Sequence, residues 1–221
     1  MDSFTSYQHL IKRNQVTLKS ILNLSHENKD KAKEYLALRK LDYFGDVGYI
    51  LHAEFSGQHI SNSLVIPVYN PLGDLVLLDT KNLSTGDYMK LTEPESKYTP
   101  IHNLDSVVKH RIVTEGVLNA ETIRQCTNGY TVSSTLRASM NAKTYHILAA
   151  SVTDTIITAF DNDPAGQEAT KTLMEFFKEF YPNITIKILD FNYNDLNLFL
   201  IKHNKSVVGN HIDFQLSKYK E

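Results

Sequence analysis

From residue 111 to residue 203, strand-type and helix-type runs take turns, and that alternation leaves few architectures open. The run Arg111-Ile112-Val113-Thr114 reads as a strand and is followed by the helical stretch NAETIRQCTNG. A second strand, YTVSS, and a looser TLRASM lead to a helix around residues 142–150. Then come strand TIITAF, helix PAGQEATKTLMEFFKEFY, strand ITIKILDF and a short helix, DLNLFLIKH. Strands alternating with helices of about 10–15 residues predict an α/β fold, a mainly parallel sheet covered by helices on both faces.

In open sheets of this kind, ligands bind beyond the carboxyl ends of the strands. Two strands here run straight into acids, RIVT into Glu115-Gly116 and TIITAF into Asp161-Asn162-Asp163. As alternate residues of an extended edge, Asp161 and Asp163 project the same way, close enough to hold one or two divalent cations. Hard cations such as Mg²⁺ take oxygen ligands and keep several waters, so three carboxylates around a phosphate-bearing substrate suffice. Gly116 permits a tight strand-to-helix turn. Pro164 suits a first helical position behind an Asp163 N-cap, so Asp163 reads equally well as a helix cap and nothing more.

The first hundred residues follow a different rhythm. Residues 1–40 read as helical, with His9-Leu10-Ile11 and Ile21-Leu22-Leu24 apolar in polar surroundings. A second helix over residues 29–41 places Ala32, Tyr35, Leu36 and Leu38 near one side. Residues 48–83 change to β-type runs (YILHAEF, SLVIPVY, DLVLLDT), with hairpin chemistry at Asn70-Pro71-Leu72-Gly73-Asp74. Residues 84–100 are polar and turn-rich and predict a long exposed loop or bent connection. The expected division is an α+β module over 1–108, a catalytic α/β domain over 109–205, and a C-terminal tail over 206–221.

Composition narrows the class without naming a partner. The net charge is −2, although residues 1–40 carry eight basic and four acidic side chains. An asymmetry of that size permits a basic strip for phosphates but does not demand one. No run approaches the ~20 apolar residues of a membrane span, and no secretory signal is visible at the start. A cytoplasmic protein (host cytoplasm, if phage-encoded) without membrane partners is the expectation. The single cysteine, Cys126, excludes an intramolecular disulfide and a multi-cysteine zinc ribbon in these residues. It reads as an inert thiol in a packed helix. Phe176, Phe177 and Phe180 recur at helical spacing and read as core; the nine histidines are scattered, none at metal-site spacing.

The segment RIVTEGVLNAETI, then about 35 residues, then IITAFDNDPAGQEAT resembles the TOPRIM domain of bacterial-type primases, topoisomerases and some nucleases. Its Glu-Gly motif falls on Glu115-Gly116 and its D-x-D motif on Asp161 and Asp163. The downstream D-x-A-G matches the primase branch. Where primases carry a Lys-Asp pair, ILDFNYNDLNLFL offers Asp195 after Asn194. Upstream, Tyr35, Leu36 and Arg39 resemble the primase Tyr-Leu-x-x-Arg helix. VIPVYNPLGDLVLLDTKNL resembles the primase pattern Pro-Ile-x-Asp-x-x-Gly, hydrophobics, then a basic residue, here Lys81. Lys90 and Lys97 fall near two further lysines of that family.

The resemblance implies a DnaG-like primase core that makes short RNA primers on single-stranded DNA from ribonucleoside triphosphates. Its metals, Mg²⁺ or Mn²⁺, would be held by Glu115, Asp161, Asp163 and Asp195. Nucleotide or nucleic-acid contacts would fall to Lys81, Lys90, Lys97, Arg39, Arg137 and Asn119. The departures are Asn119, where primases have Asp, Asn194, where they have Lys, and Leu136-Arg137-Ala138-Ser139 in place of a Gly-Thr turn. With no zinc ribbon in these residues, template engagement through a helicase or other replication protein is expected. Compact length and a composition rich in Asn, Lys and Ile suggest a phage or mobile-element version. A TOPRIM nuclease and a non-catalytic replication subunit are the alternatives.

Overall fold

The first described helix begins with a reciprocal cap: Thr17 Oγ1 accepts from Ser20 N at 3.2 Å and Ser20 Oγ from Thr17 N at 3.0 Å. The computed structural model describes residues 17–92, 101–104 and 106–217. His9-Leu10-Ile11 and Lys97 lie outside the described residues. Contacts divide the chain into two units, one of residues up to Ala32 with Gly45–Pro67 and Leu75–Ser96, the other of Lys33–Phe44, Val68–Asp74 and Lys97–Glu221.

In the first unit, helix α1 (Leu18–His26) buries Leu18, Ile21, Leu22 and Ser25. Gly48 is required beside it, because a Cβ there would lie 2.0 Å from Ser25 Oγ. Helix α2 (Lys29–Leu38) follows, running from this unit into the second. Strands β1 (Gly48–Phe55), β2 (Gln58–Tyr69), β3 (Leu75–Asn82) and β4 (Tyr88–Leu91) hydrogen-bond in chain order. Phe55 pairs with Gln58 across Ser56 and Gly57, both at positive φ, a two-residue turn whose twist suits the strands. Leu18, Ile21 and Leu22 pack with Ile50, Phe55, Val65, Leu78 and Leu91. The Asn70–Asp74 turn forms as the sequence predicts: Asn70 Oδ1 accepts from Leu72 N and Asp74 N, both at 2.9 Å, and Gly73 has φ +87.

The second unit holds a four-stranded sheet in the order β6-β5-β7-β8, parallel throughout. Its strands are β5 (Val108–Thr114), β6 (Val132–Ser134), β7 (Val152–Thr158) and β8 (Thr185–Ile188). Helices α3 (Val117–Cys126), α4 (Ala142–Ala150), α5 (Pro164–Phe180) and α6 (Leu196–Lys202) alternate with them, so the α/β expectation holds. Val113, Leu148, Ile156, Leu173 and Phe177 form the centre of one core cluster.

Several expectations need correction. Residues 206–221 are not simply a tail, because α7 (Lys205–Ser217) forms there and buries Val208, Ile212 and Leu216. Gly209 lets it approach α3, since a Cβ would lie 2.1 Å from the Cys126 carbonyl oxygen. The i, i+4, i+8 apolar spacing that drives this was already present in the sequence. Within the stretch expected as loop, Tyr88–Leu91 pairs with β3 as β4. Leu38 is 78% exposed rather than sharing the face of Ala32 and Leu36, because it sits two positions from Leu36 and so points elsewhere. Phe180 is 54% exposed at the end of α5, whereas Phe177 is fully buried and Phe176 half-buried. Among the described residues, no helix is long and apolar enough to cross a membrane.

Candidate active site

Strands β5 and β7 are hydrogen-bonded neighbours, with Ile112 opposite Ile157 and Val113 opposite Thr158. Their carboxyl ends therefore emerge side by side. Glu115 follows β5 directly, and the backbone N–H of Asp161 donates to its Oε1 at 3.1 Å. Gly166 makes room for this pair: a Cβ there would lie 2.1 Å from the Asp161 carbonyl oxygen and 2.6 Å from Glu115 Oε1. The loop after β6 reaches the same edge, where Ser134 Oγ donates to the Glu115 carbonyl at 2.7 Å. Leu136 in that loop has φ +64, and the following Arg137 is exposed.

Asp163 is the N-cap of α5, its Oδ1 accepting from Gly166 N at 2.8 Å with Pro164 in the first turn. Asp195 caps α6 in the same way, accepting from Leu198 N at 2.6 Å. The two loops are tied by Asn162 N, which donates to the Asn194 carbonyl at 2.7 Å. Asn119 bridges the remaining gap: its Nδ2 donates to Asp161 Oδ1 at 2.7 Å and its Oδ1 accepts from Asn197 N at 3.1 Å. Asn197 is fully buried and donates through Nδ2 to the Arg39 carbonyl and to Thr122 Oγ1.

Each of the four carboxylates thus spends one oxygen on a bond that holds the fold. Burial and the charges of Glu115, Asp195 and Asp163 push the Asp161 carboxyl up to about 7, against the opposing Asn119 hydrogen bond. Burial likewise raises Glu115, opposed by the Asp161 N–H. Packing like charges until one holds its proton near neutrality is common where acids are gathered for chemistry. A cavity of about 760 Å³ begins at Asp161, Asn162 and Gly166 and runs between α5 and β8 over Met174, Ile184 and Ile186. Asp161 therefore borders open space, as a ligand site requires.

The donor set suits a hard cation. Carboxylate oxygens are the ligands Mg²⁺ and Mn²⁺ take, and a bound cation would relieve the repulsion at Asp161. Glu115, Asp161 and Asp163, with Asp195 beside them, are the residues to hold it. Among the described residues, no three acidic, His or Cys side chains already converge on one point, so the side chains must turn to ligate.

Lys81 and Lys90 belong to the first unit, where Lys90 pairs with Asp79 across the strands and Lys81 Nζ donates to Tyr88 Oη at 2.8 Å. Between the two lysines, burial pushes the Asp79 carboxyl up to about 7. Arg39 is half-buried after α2, 5.9 Å from the Tyr35 ring, and its Nε finds no partner among the described residues. Burial raises the Cys126 thiol to about 11, so it stays protonated and inert at neutral pH.

Sequence reading missed two contributors and the role of a third. Gly166 stands in the D-x-A-G motif, but its close approach to Glu115 is visible only in the fold. Asn197 looks like a surface asparagine of a short helix. His102 is 9% exposed and exchanges backbone hydrogen bonds with Ser134 at 2.8 and 3.1 Å, with burial lowering its imidazole to about 4. Each depends on pairing across the fold, which leaves no local signal.

A parallel sheet with acids beyond the ends of two adjacent strands defines a class, and residues 110–193 match the family model of the Toprim domain. Solved structures carry the likeness through the rest of the chain. The Aquifex aeolicus primase, comprising zinc-binding and RNA polymerase domains, aligns over 96% of this chain at 13% identity with a TM-score of 0.68. This chain spans 66% of that structure's length. A DnaG primase catalytic domain bound to single-stranded DNA aligns over 89% of this chain and 77% of its own, at 13% identity and a TM-score of 0.70. The primase fragment of the bacteriophage T7 primase-helicase protein aligns over 84% and 72%, at 16% identity and a TM-score of 0.54. The chain therefore has the fold of a primase catalytic core. No curated protein matches it by sequence.

Proposed function

We propose that this chain is a primase catalytic core that synthesises short RNA primers on single-stranded DNA by metal-dependent nucleotidyl transfer. The observation that carries the reading is that both units, and not the Toprim domain alone, follow primase catalytic cores. The gathered acids at the carboxyl edge of β5 and β7 support it chemically. Topoisomerases and nucleases share the acidic domain, but the resemblance upstream of residue 108 belongs to primases.

In this reading Glu115, Asp161 and Asp163 hold Mg²⁺ or Mn²⁺, with Asp195 as a further ligand. The cation supplies acidification of the 3′-hydroxyl and neutralisation of the triphosphate. The chain's own residues do the rest. Glu115 keeps the Asp161 backbone in place and stands near the proton that the hydroxyl must lose. Arg137, exposed in the loop after β6, meets phosphate oxygens; Lys81, Lys90, Lys97 and Arg39 contribute further phosphate contacts, which position a strand without reading its sequence. Single-stranded DNA and ribonucleoside triphosphates are the substrates, and a helicase or other replication protein is the fitting partner.

The test is template-dependent ribonucleotide incorporation on single-stranded DNA with Mg²⁺ or Mn²⁺. Wild type is compared with Asp161→Ala and Glu115→Ala. Oligoribonucleotides made by wild type and lost in both variants are expected. Template degradation without synthesis overturns the reading in favour of a nuclease. DNA binding without chemistry, by folded protein, overturns it in favour of a non-catalytic subunit.

A further inference from the structure

Asn119 is 6% exposed, and both polar atoms of its amide are engaged. The orientation of that amide is dictated by chemistry. A backbone N–H can only donate, so the atom facing Asn197 N must be the oxygen, and the nitrogen must face Asp161. The partner is held firmly. Asn197 is the second residue of α6, behind the Asp195 cap, and its own amide is tied to Arg39 and Thr122. Asn119 itself sits in the first turn of α3.

The result is a short N–H bond, 2.7 Å between heavy atoms, filling the Oδ1 side of the Asp161 carboxylate. The amide hydrogen carries partial positive charge and lies where a cation would have to sit to use that oxygen from the side of α3. The other Asp161 oxygen carries no hydrogen bond among the described residues.

We propose that Asn119 is a positioning residue that orients the Asp161 carboxylate and closes its Oδ1 side to metal, leaving room for one divalent cation among Glu115, Asp161 and Asp163. The proposal rests on the metal-dependent reading of the same acids. Replacing Asn119 by Asp keeps an oxygen for Asn197 N but exchanges the N–H donor for a second carboxylate oxygen facing Asp161. Two such oxygens at that distance repel, and a cation between them is the relief.

The experiment is a Mn²⁺ titration followed by the electron paramagnetic resonance signal of the free ion, on wild type, Asn119→Asp and Asn119→Ala. Circular dichroism melts check folding. One ion per chain is expected for wild type and two for Asn119→Asp, with spectral broadening from paired ions. Asn119→Ala keeps one ion with affinity roughly tenfold weaker, as when an outer hydrogen bond to a ligand is lost. Two ions in wild type, or one ion in folded Asn119→Asp, overturns this inference and leaves the primase reading standing. Should Asn119→Asp fail to fold, unchanged Mn²⁺ affinity in Asn119→Ala overturns it instead. A wild-type protein that binds no Mn²⁺ overturns both.

Discussion

The Asp161 backbone N–H donates to Glu115 Oε1 at 3.1 Å, joining the ends of two neighbouring parallel strands across 46 residues of sequence. One acid of the site is thereby oriented by the backbone of another. Anything that moves the β7 exit moves Glu115 with it.

Gly166 guards that relationship. In Gly166→Ala the new methyl meets the Asp161 carbonyl and Glu115 Oε1, and the carbonyl, being backbone, cannot swing aside. Destabilisation of about 1–3 kcal/mol is expected from the overpacking. Mn²⁺ affinity should fall roughly tenfold or more as Glu115 is displaced. Chemical denaturation and a Mn²⁺ titration measure the two effects.

Asp163 caps α5 and is also assigned to the cation, and two substitutions separate the roles. Asp163→Ser retains a capping oxygen, so its stability should stay within a few tenths of a kcal/mol of wild type, whereas Asp163→Ala should lose about 1 kcal/mol. Both remove the ligand. Primer synthesis should therefore fall in both to the same low level. Normal synthesis by Asp163→Ser would reduce Asp163 to a cap.

The raised Asp161 carboxyl makes cation binding depend on pH. Its folded value, about 7, lies above the unfolded 3.8, so the native state holds this proton more tightly. Metal-free stability from this group is therefore full below pH 4 and lost as pH rises through 7. Asp161→Asn should melt higher than metal-free wild type at pH 8. After allowance for solvent screening at this half-buried group, the gain is about 2–4 °C, and it should vanish near pH 4. Mg²⁺ should bind wild type more tightly at pH 8 than at pH 6 and release a proton at the lower pH. Calorimetry in two buffers of different ionisation enthalpy reads that proton.

Two buried groups outside the acidic cluster act with opposite sign. His102 is lowered from 6.5 to about 4, so the unfolded chain takes up its proton first. The stability it contributes is present above pH 6.5 and lost towards pH 4, on the order of 3 kcal/mol. Asp79 is raised from 3.8 to about 7, so its contribution is lost as pH rises. Asp79→Asn should stabilise the protein above pH 7 and change nothing near pH 4. Denaturation midpoints between pH 4 and 8 check both.

Much of the architecture was legible in the chain itself. Alternating strand and helix periods located the parallel sheet, and the Asn70–Asp74 turn carried its own hairpin chemistry. Glu115, Asp161 and Asp163 could be picked out because they follow apolar strand runs, and that position alone determines which edge of a parallel sheet they reach. Helix α7 was overlooked although its apolar spacing was present, because only a packing partner on α3 turns such spacing into a buried face.

What the sequence alone determined was the identity and order of the elements and which acids stand at their ends, since both follow from local periodicity and turn chemistry. Only the tertiary structure decided how those acids are spent. It set Asn119 between Asp161 and Asn197, 42 and 78 residues away in the chain, and pressed Gly166 against Glu115. Hydrogen-bond partners and close approaches are set by strand register and helix packing, and these join residues that no local pattern brings together.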